Sequence, residues 1–394
     1  MGERLFRIEF ISSAIGAVIS ILLARLWGTY WQGQWSILQN FVMTCALIFT
    51  AGLPPVIVAS IRKNKIQEKK IFRQMIGYFL ILWLVATILF MIATHYPALH
   101  VFLSDLTFTK GGFLVIGSQI AILVLINMLA AWMDGKNKLI QISRIRLVLN
   151  MIMGIAILVL YIMLAEKPDL FIQYTWYAFI VQAAVLTVLM MKSLSNQHRI
   201  DPDHLPDQMS LIGLIRNTGW VFLLAELFQK LNYRIDIWFL AAFTSSEQIG
   251  VYSISSAISL FILIRSRNSQ RALINSFKVS EQQFNRDLIK SEILLLVKSM
   301  MGLMVLFIMA SFILFHFFLD STYQEGFYIL IPLTIGIFFI SVTMPISAYF
   351  TYNNWPHFNL FAAAIGLICN IILNSLLIPQ WGIWGAAWAS LFTY

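Results

Sequence analysis

The sequence predicts an all-α integral membrane protein with about twelve transmembrane helices, and three observations support this prediction. Hydrophobic residues make up 59% of the 394 residues and charged residues only 11%, with a mean hydropathy of +0.80, unlike a soluble domain. Apolar runs of about 20 residues, enough to cross roughly 30 Å of hydrocarbon, recur along the whole chain. These runs do not alternate apolar and polar residues, so they are helices rather than barrel strands.

The predicted spans follow one another closely along the chain. They begin near residues 8, 36, 75, 113, 145, 170, 214, 250, 292, 326, 358 and 382. The first has no small-residue cleavage site after it and is too long for a signal-peptide core, so we interpret it as a retained helix. The last, from Gly382 to Tyr394, is too short to cross a bilayer, and we expect it to be an incomplete span.

The positive charges indicate the orientation of the chain. The net charge is +9, and most cations lie before the first span or in alternate connections: Arg4, Arg7; Arg62, Lys63, Lys65, Lys69, Lys70, Arg73; Lys136, Lys138, Arg144, Arg146; Lys192, Arg199, Arg216; Arg265, Arg267, Arg271, Lys278, Arg286, Lys290. The opposite side has little beyond Arg25, Lys110 and Lys167. The positive-inside rule therefore predicts a cytoplasmic N-terminus, and the basic excess indicates topology and contact with membrane lipids rather than nucleic acid.

Two halves of the chain echo each other. The longest polar stretch, 192–213, predicts a cytoplasmic linker between an N-terminal lobe, 1–191, and a C-terminal lobe, 214–394, of six spans each. Gly33 and Gly250 each open a span at an offset of 217, and Asn150 and Asn370 repeat at 220. Six spans per repeat predict two lobes related by a pseudo-two-fold axis along the membrane normal, around a central cavity. The alternative is similar helix-start chemistry without common ancestry.

The seventh span has an unusual density of charge. Glu226, Lys230 and Arg234 follow one another at i, i+4 spacing, and Asn232 and Asp236 form a second stripe. Each ionisable group at membrane depth costs roughly 2.5–3.5 kcal/mol on insertion scales. This cost predicts a hydrophilic central cavity in which Lys230 and Arg234 bind an anionic group, while Glu226 or Asp236 balances charge or couples transport. The alternative is a buried Glu226–Lys230 pair that fixes helix packing, with Arg234 reaching outward.

The first span has a polar strip that fits the same cavity. Glu9, Ser12, Ser13, Gly16 and Ser20 share one helical face. We expect Ser12, Ser13 and Ser20, together with Asn232 of the seventh span, to line the cavity, and Glu9 to join the coupling or charge-balancing candidates. Small residues on this face could equally serve close helix packing.

Enzyme signals in the sequence are poor. His100 and Asp105 form a His-x4-Asp pattern like that of some acyltransferases, but it falls in a predicted outside loop without companion motifs. There is no Gly-rich phosphate loop ending in Gly-Lys-Ser/Thr, so we do not expect ATP hydrolysis. The six histidines lack ligand spacing, and Cys45 and Cys369 lie alone in separate spans. The sequence therefore predicts neither a catalytic residue, nor a bound metal, nor a cofactor, and the coupling ion is left open between H⁺ and Na⁺.

Three motifs carry a resemblance to a known family. Asn-x-x-x-Asp at 232–236 leads to Gly-Val-Tyr-Ser at 250–253. Leu-Ala-Arg-Leu-Trp-Gly at 23–28 precedes Gly33, with Trp27 where an aliphatic residue is more usual. The third motif is near the end: Asn370, Asn374, Pro379, Gly382, Gly385, Ala386 and Ala387. This pattern, spread over nearly the whole chain, resembles the polysaccharide (O-antigen type) flippases of the multidrug/oligosaccharidyl-lipid/polysaccharide exporter superfamily.

The resemblance implies twelve helices in two lobes that open alternately to the two faces of a bacterial inner membrane. It implies a substrate of polyprenyl-pyrophosphate-linked oligosaccharide, moved from the cytoplasmic to the periplasmic leaflet without ATP hydrolysis, and a polysaccharide polymerase with its chain-length machinery as partners. Lys230 and Arg234, with Arg25 at the external mouth, are then the expected head-group ligands. Two alternatives are a drug/cation antiporter of the same superfamily and, from a different class, a membrane-embedded polysaccharide polymerase.

Overall fold

The computed structural model describes residues 2–50, 53–62, 68–93, 112–136, 138–164, 167–195, 220–279, 286–353 and 355–394. The predicted linker at 192–213 lies outside these ranges from residue 196 onward, as do residues 63–67 of the basic connection that follows the second predicted span.

Nearly all of the described chain is helical. The α-helices in these ranges are α1 (Gly2–Thr50), α2 (Leu53–Arg62), α3 (Glu68–Ala93), α4 (Gly112–Gly135), α5 (Leu139–Leu164), α6 (Pro168–Ser195), α7 (Trp220–Asn232), α8 (Ile235–Phe243), α9 (Ser246–Leu260), α10 (Leu263–Val279), α11 (Arg286–Ile313), α12 (Glu325–Tyr352) and α13 (Pro356–Thr393). A π-helical turn, Leu314–Phe318, and a 3₁₀ turn, Ser321–Tyr323, connect α11 to α12.

Eight helices within the described ranges are long and apolar enough to cross a membrane. They include Val115–Gly135, Ile140–Leu164, Ile289–Phe318 and Pro356–Thr393. Long apolar helices keep every backbone hydrogen bond inside the segment, which lipid requires. The chain is therefore a multi-pass membrane protein, and the count of twelve spans stays a prediction.

The longest helices bend at glycines. Gly28, inside α1, has φ 76° and ψ 175°, and Gly382, inside α13, has φ 54° and ψ −130°. Residues with a Cβ rarely adopt these conformations. The two bends fall where the sequence separates the first predicted span from the second and the eleventh from the twelfth. Glycine therefore allows a sharp turn without a loop.

The helices group into two compact units. The first contains Met1–Ile37 and Phe228–Tyr394, and the second contains Leu38–Leu227. In the first, α12 packs against α9, α10, α11 and α13, and α8 packs against α13. In the second, α4 packs against α2, α3 and α6. The predicted division into lobes 1–191 and 214–394 stays a prediction.

The interior of the second unit contains neutral amides. The Trp176 indole donates to Gln119 Oε1 at 3.1 Å, and Gln119 Nε2 donates to Gln39 Oε1 at 3.4 Å. Gln182 Nε2 donates to Asn150 Oδ1 at 2.9 Å. These contacts hold polar side chains of different helices together where water is scarce.

The bend at Gly28 gives a stability prediction. Gly28→Ala forces a side chain into a positive-φ conformation, which should cost about 1–3 kcal/mol and lower the melting temperature of the purified protein in detergent. Gly77→Ala is the matched control, because Gly77 lies inside α3 with open space around it. In a regular helix that change should stabilise by about 0.5–1 kcal/mol. Equal melting temperatures for Gly28→Ala and the parent protein would contradict the account of the bend.

Candidate functional site

The charged seventh span is not one continuous helix. Helix α7 ends at Asn232, Tyr233 and Arg234 form a turn, and α8 begins at Ile235. The Arg234 amide donates to the Leu231 carbonyl at 2.9 Å, a tightened i to i−3 bond. Arg234 has φ −133° and ψ −16°, so the helical stripe predicted from Glu226 through Lys230 does not continue regularly to Arg234. The break places a cation between two half-helices.

Asn370 of α13 binds the end of α7, and Asn374 supports it. Asn370 Nδ2 donates to the Asn232 backbone carbonyl at 2.9 Å and to Asn232 Oδ1 at 2.8 Å. Asn374 Nδ2 donates to Asn370 Oδ1 at 2.7 Å. The last carbonyls of a helix lack partners inside it, and in lipid such groups are costly. The amide of Asn370 therefore stabilises an end that the break exposes.

A second polar chain binds the start of α8. Asp236 lies in its first turn and is only 2% exposed. Its Oδ1 accepts from the Ile237 amide at 2.9 Å, and its Oδ2 accepts from the Tyr252 hydroxyl. The Tyr252 hydroxyl also lies 3.5 Å from Ser390 Oγ. A carboxylate at a helix N-terminus is favoured by the helix dipole, so Asp236 stabilises the second half-helix and connects it to α9 and α13.

The turn between α9 and α10 lies beside the same break. Phe261 and Ile262 interrupt the eighth predicted span with i to i−3 bonds, Phe261 N to Ile258 O at 3.1 Å and Ile262 N to Ser259 O at 3.3 Å. Ile262 and Leu263 belong to a buried apolar cluster against which Tyr233 packs. Both interruptions therefore meet at one cluster.

A pocket adjoins this turn at Phe261. It has room for water over a volume of about 180 Å³ and lies between α1 and α9. The lining residues are Ser13, Ala17, Ser20, Ile21, Ile254, Ala257, Ile258 and Phe261. Ser20 Oγ already donates to the Gly16 carbonyl at 3.1 Å. The Phe261 ring contacts Phe10 edge-on, with 5.2 Å between centroids. The pocket is thus largely apolar, with few hydroxyl groups and one aromatic wall.

The predicted site residues fall into four groups in the structure. Lys230 and Arg25 are exposed, whereas Glu226, Arg234 and Glu9 are partly buried. Ser13 and Ser20 line the pocket. Three others are buried: Ser12 at 8% exposure, Asn232 at 5% and Asp236 at 2%. Their assignment to substrate binding, coupling or cavity lining stays a proposal.

Sequence reasoning gave no role to several residues of this site. Tyr252 and Asn374 were only parts of the family pattern, and Asn370 was part of that pattern and of the repeat with Asn150. Ser390 and Phe261 carried no signal at all. The i, i+4 spacing of Asn232 with Asp236 and of Asn370 with Asn374 was the available signal, because it puts each pair on one helical face.

Gly33 and Gly250, which repeat at an offset of 217, contact each other's helices within the first unit. A Cβ on Gly33 would overlap the Ser246 carbonyl and lie 3.1 Å from the Gly250 amide nitrogen. Reciprocally, a Cβ on Gly250 would overlap the Thr29 carbonyl and lie 3.1 Å from the Gly33 nitrogen. Gln34 Nε2 also donates to Ser246 Oγ at 3.0 Å. Only glycine allows backbones this close.

Sequence comparison gives no family. No protein-family model matches the chain, and no curated protein matches it significantly. Solved structures do match. The lipid II flippase MurJ in an inward closed conformation superimposes with a TM-score of 0.74 at 17% identity, covering 99% of this chain and 84% of that one. The chain has the fold of the MOP-superfamily transporters.

Two transporters extend this likeness. An inward-facing multidrug resistance MATE transporter of the MOP superfamily gives a TM-score of 0.62 at 12% identity, covering all of this chain and 94% of that one. The MATE multidrug transporter DinF-BH gives 0.68 at 14%, covering all of this chain and 91% of that one. Because these identities are low, the MOP-superfamily comparison describes the fold alone.

The glycine crossing gives a second prediction. Gly250→Ala places a methyl group where the Thr29 carbonyl lies, so the two helix starts must separate. We expect Gln34→Cys, in a background without Cys45 and Cys369, to react faster with a membrane-impermeant maleimide, by about tenfold, when Gly250→Ala is added. Gly77→Ala is the control and should leave the rate unchanged. An unchanged rate with Gly250→Ala would show that the crossing does not depend on glycine.

Proposed function

We propose that this protein is a flippase that translocates polyprenyl-pyrophosphate-linked oligosaccharide across a bacterial inner membrane by alternating access. The observation that carries the proposal is the arrangement around the α9–α10 turn. Phe261 of this turn lines the largely apolar pocket, and Tyr233 of the charged break packs against the buried cluster that contains Ile262. An amphiphilic substrate needs these two environments close together.

The cations provide the polar half of the proposed site. Lys230 and Arg234 attract the pyrophosphate, and Arg25 receives it near the external mouth. Guanidinium and ammonium groups form charge-assisted hydrogen bonds with phosphate oxygens. The polyprenyl tail meanwhile stays in lipid or along the pocket, so that only the head group needs hydration. The fold likeness to a protein described as a lipid II flippase supports a lipid-linked substrate.

The cycle follows from the glycine crossing. By the positive-inside rule the helix starts at Gly33 and Gly250 lie on the outer side, so their contact closes the passage outward. The repeat offset of 217 supports a two-fold rocking of lobes about this contact. We propose Glu226, Asp236 and Glu9 as the residues that balance charge or couple the cycle to H⁺ or Na⁺.

A second candidate function is export of cationic drugs in exchange for a cation. The buried Asp236 carboxyl and the likeness to MATE transporters favour it. Efflux of a cationic dye that depends on Asp236, in cells without the native exporters, would support this alternative. The polymerase alternative gains nothing from the fold, since the solved structures reported above are transporters and a flippase.

The proposed pathway also sets the partners. Released units on the periplasmic side feed a polysaccharide polymerase and its chain-length machinery.

If the protein is depleted from cells, we expect lipid-linked oligosaccharide to accumulate on the inner leaflet, measured by protection from an impermeant sugar-oxidising reagent. Unchanged leaflet distribution would contradict the proposed function.

The head-group contacts give a third prediction. Lys230→Gln combined with Arg234→Gln removes two charge-assisted contacts, each worth about 1.5–3 kcal/mol. Translocation of lipid-linked oligosaccharide in reconstituted vesicles should therefore slow by about 100-fold or more. The measurement is the rate at which substrate becomes accessible to an external glycosidase.

Lys290→Gln is the matched control, because it removes an exposed cation from α11 at the predicted inner surface. It should keep the parent rate. A double variant that folds normally and translocates at the parent rate would refute the assignment of Lys230 and Arg234.

A further inference from the structure

The family-like motifs have a structural role that the proposed function does not assign. Asn232 and Asp236 lie on either side of the turn in the seventh span, one ending α7 and the other in the first turn of α8. Each is connected to a different part of α13. Asn370 donates to Asn232, whereas Asp236 accepts from Tyr252, whose hydroxyl lies near Ser390. The motifs therefore converge on one turn.

Helix α13 can reach both ends of the break because of its own bend. Gly382 separates Asn370 from Ser390 and has a positive φ. Asn370, Asn374 and Ser390 are fully buried at 0% exposure. Buried side chains in two-sided hydrogen-bonded networks have little freedom. The turn between Asn232 and Asp236 is thus held from both sides by side chains that cannot easily move.

We infer that Asn370 and Tyr252 are positioning residues, which fix the turn at Tyr233 and Arg234 so that Arg234 is presented to an anionic isoprenoid diphosphate. This inference rests on the proposed function. Asn370 fixes the turn through the Asn232 carbonyl, and Tyr252 fixes it through the Asp236 carboxylate. Neither residue is placed in contact with the ligand.

The geometry explains why amide and hydroxyl groups are suited to this task. The Asn370 amide donates to two acceptors of one residue, at 2.9 and 2.8 Å, which fixes both the carbonyl and the side chain of Asn232. Removing it leaves two buried acceptors without that donor, and the turn should then relax toward other conformations. A ligand that binds only one conformation of the turn then binds with lower apparent affinity, because only a fraction of the protein is in that conformation.

A binding measurement with a double-mutant cycle tests the inference. The probe is farnesyl diphosphate, and the protein is the full chain in lipid nanodiscs. We expect Asn370→Ala to weaken binding by about tenfold, as Arg234→Gln does. In the Arg234→Gln background, Asn370→Ala should have almost no further effect, because it acts through Arg234. A merely structural role would lower affinity equally in both backgrounds, and that result would overturn the inference.

Asn359→Ala is the matched control. Asn359 Nδ2 donates to the Ser347 carbonyl at 3.2 Å and to Thr351 Oγ1 at 3.2 Å, so it is also an amide that connects α13 to another helix. Neither of these hydrogen bonds involves the turn at Tyr233 and Arg234. Replacing Asn359 should therefore leave the affinity for farnesyl diphosphate unchanged. A tenfold loss for Asn359→Ala as well would overturn the inference.

Tyr252→Phe keeps the test decisive if Asn370→Ala does not fold. It removes one hydroxyl and keeps the buried ring. We expect weaker farnesyl diphosphate binding, by about fivefold, that again disappears in the Arg234→Gln background. Parent-like affinity in both Asn370→Ala and Tyr252→Phe would overturn the inference.

The outcomes separate this inference from the proposed function. If Arg234→Gln weakens binding and the positioning variants do not, the inference fails and the head-group site stands. If the parent protein does not bind farnesyl diphosphate, or if Arg234→Gln has no effect, the proposed head-group site fails and the inference fails with it.

Discussion

The break in the seventh span imposes the constraint on which the rest of the site depends. A helix interrupted inside a membrane leaves carbonyl and amide groups that lipid cannot satisfy. This chain satisfies one such carbonyl with a side chain of α13 and one such amide with Asp236 of α8 itself. Asn370 donates to the Asn232 carbonyl, and Asp236, bound to Tyr252, occupies the first turn of α8. The interruption is therefore a built feature with its own network of hydrogen bonds.

The same polar residues have two roles in this network. Asn232 and Asp236 stabilise the half-helices, and the turn that they bracket contains Arg234. A span without a break would spread its charges along one stripe, whereas the turn gathers a cation, two helix ends and a buried carboxylate in a short distance. Discontinuous helices in transporters commonly form binding sites in this way. The apolar pocket beyond Phe261 adds the complementary environment for a lipid chain.

Several features of the fold were predictable because they depend on local composition. The starts expected near 113, 326 and 358 correspond to helices that begin at Gly112, Glu325 and Pro356, since a long apolar run specifies a membrane helix without help from its neighbours. The bends at Gly28 and Gly382 fall between predicted spans, where glycine permits a positive φ. Membrane-crossing helices were thus encoded in runs of about 20 residues.

The break at Tyr233 and Arg234 could not be predicted in the same way. It contains neither proline nor glycine, and its charged residues fit a continuous i, i+4 stripe equally well. The residues that stabilise it come from other parts of the chain. Asn370 lies 138 residues from Asn232, and Tyr252 lies 16 residues from Asp236. The burial of Asp236 and Asn232 also depends on this packing. Sequence motifs marked these residues, but only tertiary contacts show what they bind.

The most direct test of the account is water accessibility at the turn. A spin label on Arg234→Cys, in lipid bilayers and without the two native cysteines, should be relaxed strongly by a water-soluble nickel chelate and weakly by oxygen. A label on Val305→Cys, exposed on α11, should show the reverse. Protection of position 234 from both agents would mean that the turn is packed dry inside the bundle, and that result would contradict the proposed wet passage for the head group.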